Sequence, residues 1–263
     1  MDLGIEGKVA LVAASSKGIG LAIAEELAAN GARLVMCARG EKDLRAAAAE
    51  IRAKSKVEVV DVVADVSKPA DIVRLAEVAQ KKFGRVDMLV VNSGGPPPGS
   101  FETLTPAMWA EAAQLLLHST VELVRAVLPG MKERRWGRIL NVTSIAAKQP
   151  VDGLMLSNSL RAAVHGFART LANEVAPFGI TANNILPGYT RTDRVVSLAK
   201  HASETKGITL EDSYKAWEEQ VPMGRLAEPR EIAAVAAFIL SERASYLTAS
   251  SIAVDGGWIR SLM

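Results

Sequence analysis

The chain has little of several things, and each shortage narrows what it can do. It holds one cysteine, Cys37, among 263 residues. A lone cysteine cannot close an internal disulfide and suits a reducing compartment, so a cytoplasmic location is expected. The three histidines join no His, Cys and Asp group at metal-ligand spacing, and no metal is expected. Neither sign of charge predominates: 31 Lys and Arg against 29 Asp and Glu leave a formal +2. That balance gives no electrostatic reason to expect nucleic acid or an acidic membrane surface. No apolar run reaches the length that spans a bilayer. The N-terminal MDLGIEGKVAL lacks a basic start followed by an apolar stretch, so no signal peptide is read there. Aromatic residues are sparse, and Trp109, Trp136, Trp217 and Trp258 are scattered in a way that predicts no stacking platform. Met155, Met223 and Met263 read as fillers of apolar gaps.

Apolar residues, by contrast, make up 49%, enough to bury the core of one large α/β domain over 1–263. Short valine-rich runs read as strands at 8–14, 32–38, 57–63, 87–93, 137–144, 180–187 and 251–255. Near-continuous apolar runs of that length suit strands covered on both faces. Helical patterns fill 18–30, 41–53, 69–83, 107–134, 152–178 and 229–241. The alternation predicts a doubly wound parallel sheet with helices on both faces. Ser67-Lys68-Pro69 reads as an N-cap ahead of a helix, and Asn30-Gly31 as a helix stop. The proline-rich loop 94–99 and a polar, weakly periodic insertion at 190–226 would both lie at the carboxyl ends of the strands, where open α/β sheets bind ligands.

The stretch VALVAASSKGIGLAIAEELAANG is strand, tight turn, helix. Gly18 and Gly20 permit close backbone approach, and the helix start offers N–H groups to a pyrophosphate. The turn residues Ser15, Ser16, Lys17, Gly18, Ile19 and Gly20 are therefore cofactor candidates. The second strand ends on Arg39 instead of the acid that would hold a ribose 2′-hydroxyl. Arg39 and Lys17 together suit a 2′-phosphate, so NADP(H) is preferred and NAD(H) is the alternative; two solvated surface cations are the plainer reading.

In order along the chain, SSKGIG, Asp65-Val66, VVNSGG (90–95), NVTS (141–144), PGYTRT (187–192) and VDGG (254–257) resemble the motifs of the short-chain dehydrogenase/reductase superfamily. The resemblance covers essentially the whole chain and is greatest to 3-oxoacyl-carrier-protein reductases. It implies a Rossmann-type, seven-stranded parallel sheet and NAD(P)-dependent carbonyl or alcohol chemistry. It adds Asp65, Val66, Asn92, Gly94, Pro187, Gly188, Thr190 and Thr192 to the cofactor candidates, and implies a homodimer or homotetramer through the helices at 107–134 and 152–178. His118 and His165 on those helices read as core or interface residues.

The family uses an Asn-Ser-Tyr-Lys set, in which tyrosine moves the proton, lysine holds the ribose and lowers the tyrosine pKa, and serine positions the carbonyl. The serine is present as Ser144, but the tyrosine position holds Ser157, the lysine position Arg161 and the asparagine position Leu116. Ala13-Ala14 stands where the family usually has Thr-Gly. Ser157 and Arg161 still share a helix face, and Arg161 can still donate to ribose hydroxyls. Ser157 is too short, and too reluctant to ionise, to inherit the acid–base role directly. A water linking Ser157 to the substrate is one route for the proton; Tyr189 or an acidic group of the substrate are others. Three functions stay open: an oxidoreductase with altered proton delivery, a nucleotide-binding sensor or partner subunit with little turnover, and a different reaction in the same pocket, such as dehydration or isomerisation.

Overall fold

The computed structural model describes residues 2–262, apart from the side chains at 205 and 206. The strands are β1 (Val9–Val12), β2 (Arg33–Ala38), β3 (Val59–Val63), β4 (Met88–Val91), β5 (Gly137–Val142), β6 (Ile180–Pro187) and β7 (Ser251–Val254). All pairings are parallel, in the order β3-β2-β1-β4-β5-β6-β7. Every expected strand is present, trimmed by up to two residues at an end. The central strands are buried on both faces, as their unbroken apolar character requires.

Helices α1 (Gly18–Ala29), α2 (Glu41–Ser55) and α9 (Pro229–Ile239) cover one face, with Ile23, Leu27, Leu44, Ile51 and Ile232 in its core. Helices α3 (Pro69–Phe83), α5 (Ser119–Arg134) and α6 (Met155–Val175) cover the other through Leu75, Leu123, Met131 and Val175. The chain order reverses between β1 and β4, which opens the ligand crevice at their carboxyl ends.

Local chemistry explains most boundaries. Asn30 ends α1, and Gly31 follows at φ +82°, a left-handed value that glycine adopts without strain. Pro69 opens α3 as expected, but Ser67 does not cap it: its hydroxyl donates to Asp65 Oδ1 at 2.8 Å and Lys68 takes the N-cap position.

Two expectations need correction. The helix expected over 107–134 is α4 (Pro106–Ala113) joined to α5 by a wide π turn, Gln114–His118. Ser119 and Thr120 hydroxyls donate to the carbonyls of Leu115 and Leu116, at 2.5 and 2.6 Å. The helix is thus irregular around Leu116, the residue in the asparagine position. The 190–226 insertion is not loose: it holds α7 (Asp193–Lys206) and α8 (Leu210–Glu218). A capping box starts α8, where Thr209 Oγ1 accepts from Asp212 N at 3.0 Å and Asp212 Oδ2 accepts from Thr209 N at 3.2 Å. A mostly polar helix such as α7 and a nine-residue one such as α8 hide from a periodicity count.

Candidate active site

A cleft of about 610 Å³ runs along the carboxyl ends of β1, β2, β4, β5 and β6, a size usual for ligand sites. At one end α1 points its N-terminus into it. No side chain caps that N-terminus, no acid sits in the first turn, and Gly18 adopts φ +60°. A Cβ at Gly18 would meet Thr192 Cγ2 at 3.3 Å. Uncapped N–H groups beside a side-chain-free position fit a pyrophosphate.

The other cofactor candidates divide. Ser16, Lys17, Gly18, Ile19, Arg39, Asp65, Val66, Asn92 and Gly94 line the cleft, as do Pro187, Gly188, Thr190 and Thr192. Ser15 does not. It is fully buried, and its hydroxyl donates to Val12 O at 2.9 Å, so it ties the turn into the core. Gly20 stands behind the wall, and its missing side chain serves packing: a Cβ there would lie 2.2 Å from Ala14 O and 2.7 Å from Asn92 Nδ2. Ala14 itself has φ +48°. Lys17 does not stand as an unpaired cation. It meets Asp193 Oδ2 at 2.7 Å, an exposed pair joining the phosphate turn to α7.

At the other end, β5 and α6 bring Ser144, Ser157 and Arg161 into the same wall. Ser144 follows β5 and accepts from Ala146 N at 3.1 Å, the cap of a single helical turn. Ser157 is buried, one turn before Arg161 on α6. Arg161 Nε donates to Ser157 Oγ at 3.2 Å, and its Nη1 donates to the carbonyls of Val142 and Thr143, both at 3.0 Å. The guanidinium therefore also stitches α6 to the end of β5. Burial pushes its pKa down to about 10, with the nearby Arg194 cation adding to the effect. A small second cavity, lined by Asn92, Leu116, Thr120, Asn141, Thr143 and Arg161, lies beneath this corner. Asn141 Oδ1 is buried there without a protein partner, a polar environment suited to one water.

His165, on the next turn of α6, bonds to Thr143 Oγ1 at 2.9 Å and Ser251 Oγ at 3.4 Å. It belongs to an internal network, and burial holds its pKa down to about 4, helped by the Arg161 and Lys148 cations. His118 is exposed.

Sequence reasoning missed three features. Tyr189 stacks on Trp217, centroids 5.0 Å apart and planes at 10°, while Trp258 meets it edge-on at 6.2 Å and Tyr214 flanks Trp217 at 5.9 Å. Two of the four tryptophans scattered in sequence, Trp217 and Trp258, thus gather, through α8 and the C-terminal segment, into an aromatic wall. Burial pushes the Tyr189 phenol up to about 12, away from acid duty near neutral pH. Met223 is largely exposed and fills no gap, whereas Met155 packs beside Leu104 and Leu156; Met263 lies outside the described residues. Arg194 in the first turn of α7 reaches the cleft beside Gly95. The only hint of it in sequence is its place two residues past PGYTRT.

The sheet order, the glycine turn and the serine-bearing β5–α6 corner define a short-chain dehydrogenase/reductase. The chain belongs to the family described as enoyl-(acyl carrier protein) reductase, within that superfamily, matching its model over residues 13–259. It is 35% identical over 255 residues to a 3-oxoacyl-[acyl-carrier-protein] reductase of Vibrio cholerae, covering 97% of this chain and 98% of that one. It is 37% identical over 263 residues to a D-beta-hydroxybutyrate dehydrogenase of Cupriavidus necator, covering 97% and 99%. L-sorbose reductase from Gluconobacter frateurii, solved with NADPH and L-sorbose, superposes with a TM-score of 0.95 at 36% identity over the full length of both chains. Among the described residues no helix is long and apolar enough to cross a membrane.

Proposed function

We propose that the chain is an NADP(H)-dependent oxidoreductase interconverting a carbonyl and an alcohol, with Ser144, Ser157 and Arg161 performing what a Ser-Tyr-Lys set performs in its relatives. The observation that carries this is the hydrogen-bond arrangement. Ser157 Oγ already accepts from Arg161 Nε, and Ser144 Oγ already accepts from Ala146 N. Each hydroxyl therefore keeps its own proton for an oxygen in the cleft. Two O–H donors, one backed by a cation, suit an oxygen on which negative charge develops.

The nicotinamide, when bound, supplies the hydride. The chain's residues do the rest. Ser144 orients the carbonyl. A water in the space a tyrosine ring would fill, held by Ser157 Oγ, passes a proton to its oxygen and regains one through the Ser157 hydroxyl. Arg161 eases the transient charge on Ser157 Oγ, and its Nη2, without a protein acceptor among the described residues, is available to a ribose hydroxyl. Arg39, lining the cleft just past the end of β2, favours the 2′-phosphate form of the cofactor, in keeping with the NADPH complex of the sorbose reductase, while Lys17 is engaged with Asp193. A homodimer or homotetramer through α5 and α6 belongs to the same reading, and a monomer by light scattering would remove that part.

A nucleotide-binding protein with little turnover is the second reading, favoured by Arg161 Nη1 being engaged with two backbone carbonyls. The test is binding of NADPH and NADH, followed by loss of nicotinamide absorbance across a ketone panel. Ser157→Ala should lower kcat about 100-fold, the range of a lost proton donor. Full turnover in that variant would sink the serine route, and tight binding without turnover would favour the second reading.

A further inference from the structure

Two guanidinium groups share the substrate end of the cleft. Arg194 Nη2 donates to Pro96 O at 2.7 Å, reaching away from the glycine turn and toward the 94–99 loop. Gly95 makes room for it: a Cβ there would lie 2.6 Å from Arg194 Nε and 2.8 Å from Nη2. The Nε and Nη1 groups of Arg194, like Nη2 of Arg161, have no protein acceptor among the described residues. No carboxylate pairs with either guanidinium among those residues. Burial holds both below the usual arginine range, and the Arg194 cation adds to the effect at Arg161. The acids of the cleft lie elsewhere: Asp193 is engaged with Lys17, and Asp43 and Asp65 stand with Arg39 at the adenosine end. Leu115, Val151, Leu154 and Leu198 supply an apolar remainder. Two like charges taken partly out of water without an anion are costly. A bound oxyanion removes that cost, and arginine forks match a carboxylate bidentately.

We infer that Arg194, with the nearby Arg161 contributing its charge and no hydrogen bond, forms a subsite for a carboxylate carried by the substrate, so that the enzyme works on keto acids or hydroxy acids with an apolar span between the two functional groups. This rests on the reductase reading. The pyrophosphate has its own seat at the start of α1, on the Gly18 and Thr192 side, which leaves the Arg194 donors to the substrate.

The experiment compares acetoacetate, levulinate and 5-oxohexanoate with their methyl esters, using NADPH and the wild type, Arg194→Gln and Arg194→Lys. In parallel, the NADP⁺-loaded protein is titrated calorimetrically with glutarate, which needs no turnover. The wild type should favour at least one acid over its ester about tenfold or more in kcat/KM. Arg194→Gln should abolish that preference and weaken glutarate binding about tenfold, about 1.4 kcal/mol, while Arg194→Lys keeps part of both. The NADPH Kd should stay within about twofold. An acid-to-ester ratio unchanged by Arg194→Gln would overturn the subsite. So would a parallel loss of NADPH affinity, which would place the guanidinium on a cofactor phosphate, or a failure of glutarate to bind either form. Glutarate binding that depends on Arg194, without turnover of any ketone, would retain the subsite and refute the reductase reading.

Discussion

Ala14→Gly should stabilise the protein. Ala14 ends the first strand's exit at φ +48°, where the methyl group crowds the neighbouring carbonyl and costs about 1–2 kcal/mol. The turn cannot relax by rotating away. Ala14 O accepts from Asn92 Nδ2 at 3.3 Å and also packs over Gly20, whose absent Cβ would stand 2.2 Å from it. Glycine removes the crowding but frees the unfolded chain, returning about 0.4–1 kcal/mol. The difference is a gain of about 1 kcal/mol. For a chain of this length that is a rise of roughly 2–4 °C in Tm. Urea unfolding should show a higher midpoint at constant slope, and calorimetry the matching shift. A lower midpoint would refute the reasoning, since it would mean that the left-handed alanine is not strained or that its methyl packing outweighs the strain. Because Ala14 also lines the cleft, the same variant should bind NADPH at least as tightly as the wild type.

Other outcomes follow from single contacts. Gly20→Ala should cost about 2 kcal/mol or more through overpacking and weaken NADPH binding, because the turn must open to admit the methyl group; denaturant midpoints and fluorescence titration check both. Arg161→Met should cost about 2–4 kcal/mol, as the Val142 and Thr143 carbonyls each lose a donor; an unchanged urea midpoint would count against the stitching role. His165 has a folded pKa of about 4 against an ordinary 6.5, so the unfolded chain takes up its proton first. Stability should be flat above that ordinary value, fall as pH drops towards 4 and level off below. The half-buried ring limits the loss to about 2 kcal/mol, and His165→Gln should flatten this limb in urea midpoints read across the range. Cys37, fully buried with its thiol pushed up to about 12, should resist thiol reagents in the native protein and react at the rate of unfolding.

Much of the fold was legible because its signals are local and strong. Valine-rich runs of strand length can only be covered on both faces, and the glycine turn fixes where the first helix begins. The site was legible wherever a motif fixes a residue's place, as with Ser144 past the end of β5 and with Ser157 and Arg161 one turn apart on α6. Ser15 was misplaced because a turn sequence does not say which hydroxyl faces inward. Lys17 was read as a phosphate ligand without its acidic partner, since Asp193 is 176 residues away. The aromatic wall escaped because Tyr189, Trp217 and Trp258 meet only once α8 has folded back. Arg194 escaped for a related reason: its role depends on the vacancy left by Gly95 on another strand's exit, a pairing that no spacing rule encodes.

The Arg161 fork has a consequence for how this chain can change over time. Three of its bonds run to Ser157 and to the carbonyls of Val142 and Thr143 at the end of β5, so the proposed chemistry and the architecture hang on one side chain. Ser157→Tyr alone would set a phenol against a guanidinium already placed at Oγ, and Arg161→Lys alone would leave one ammonium to hold the two carbonyls that Nη1 holds and the hydroxyl that Nε holds. Each single change therefore gives up contacts that the pair now shares, so a Tyr-Lys pair is reached with least loss only if both sites change together. The two positions act as a latch: a change at either one is felt in stability, whichever substrate the cleft holds.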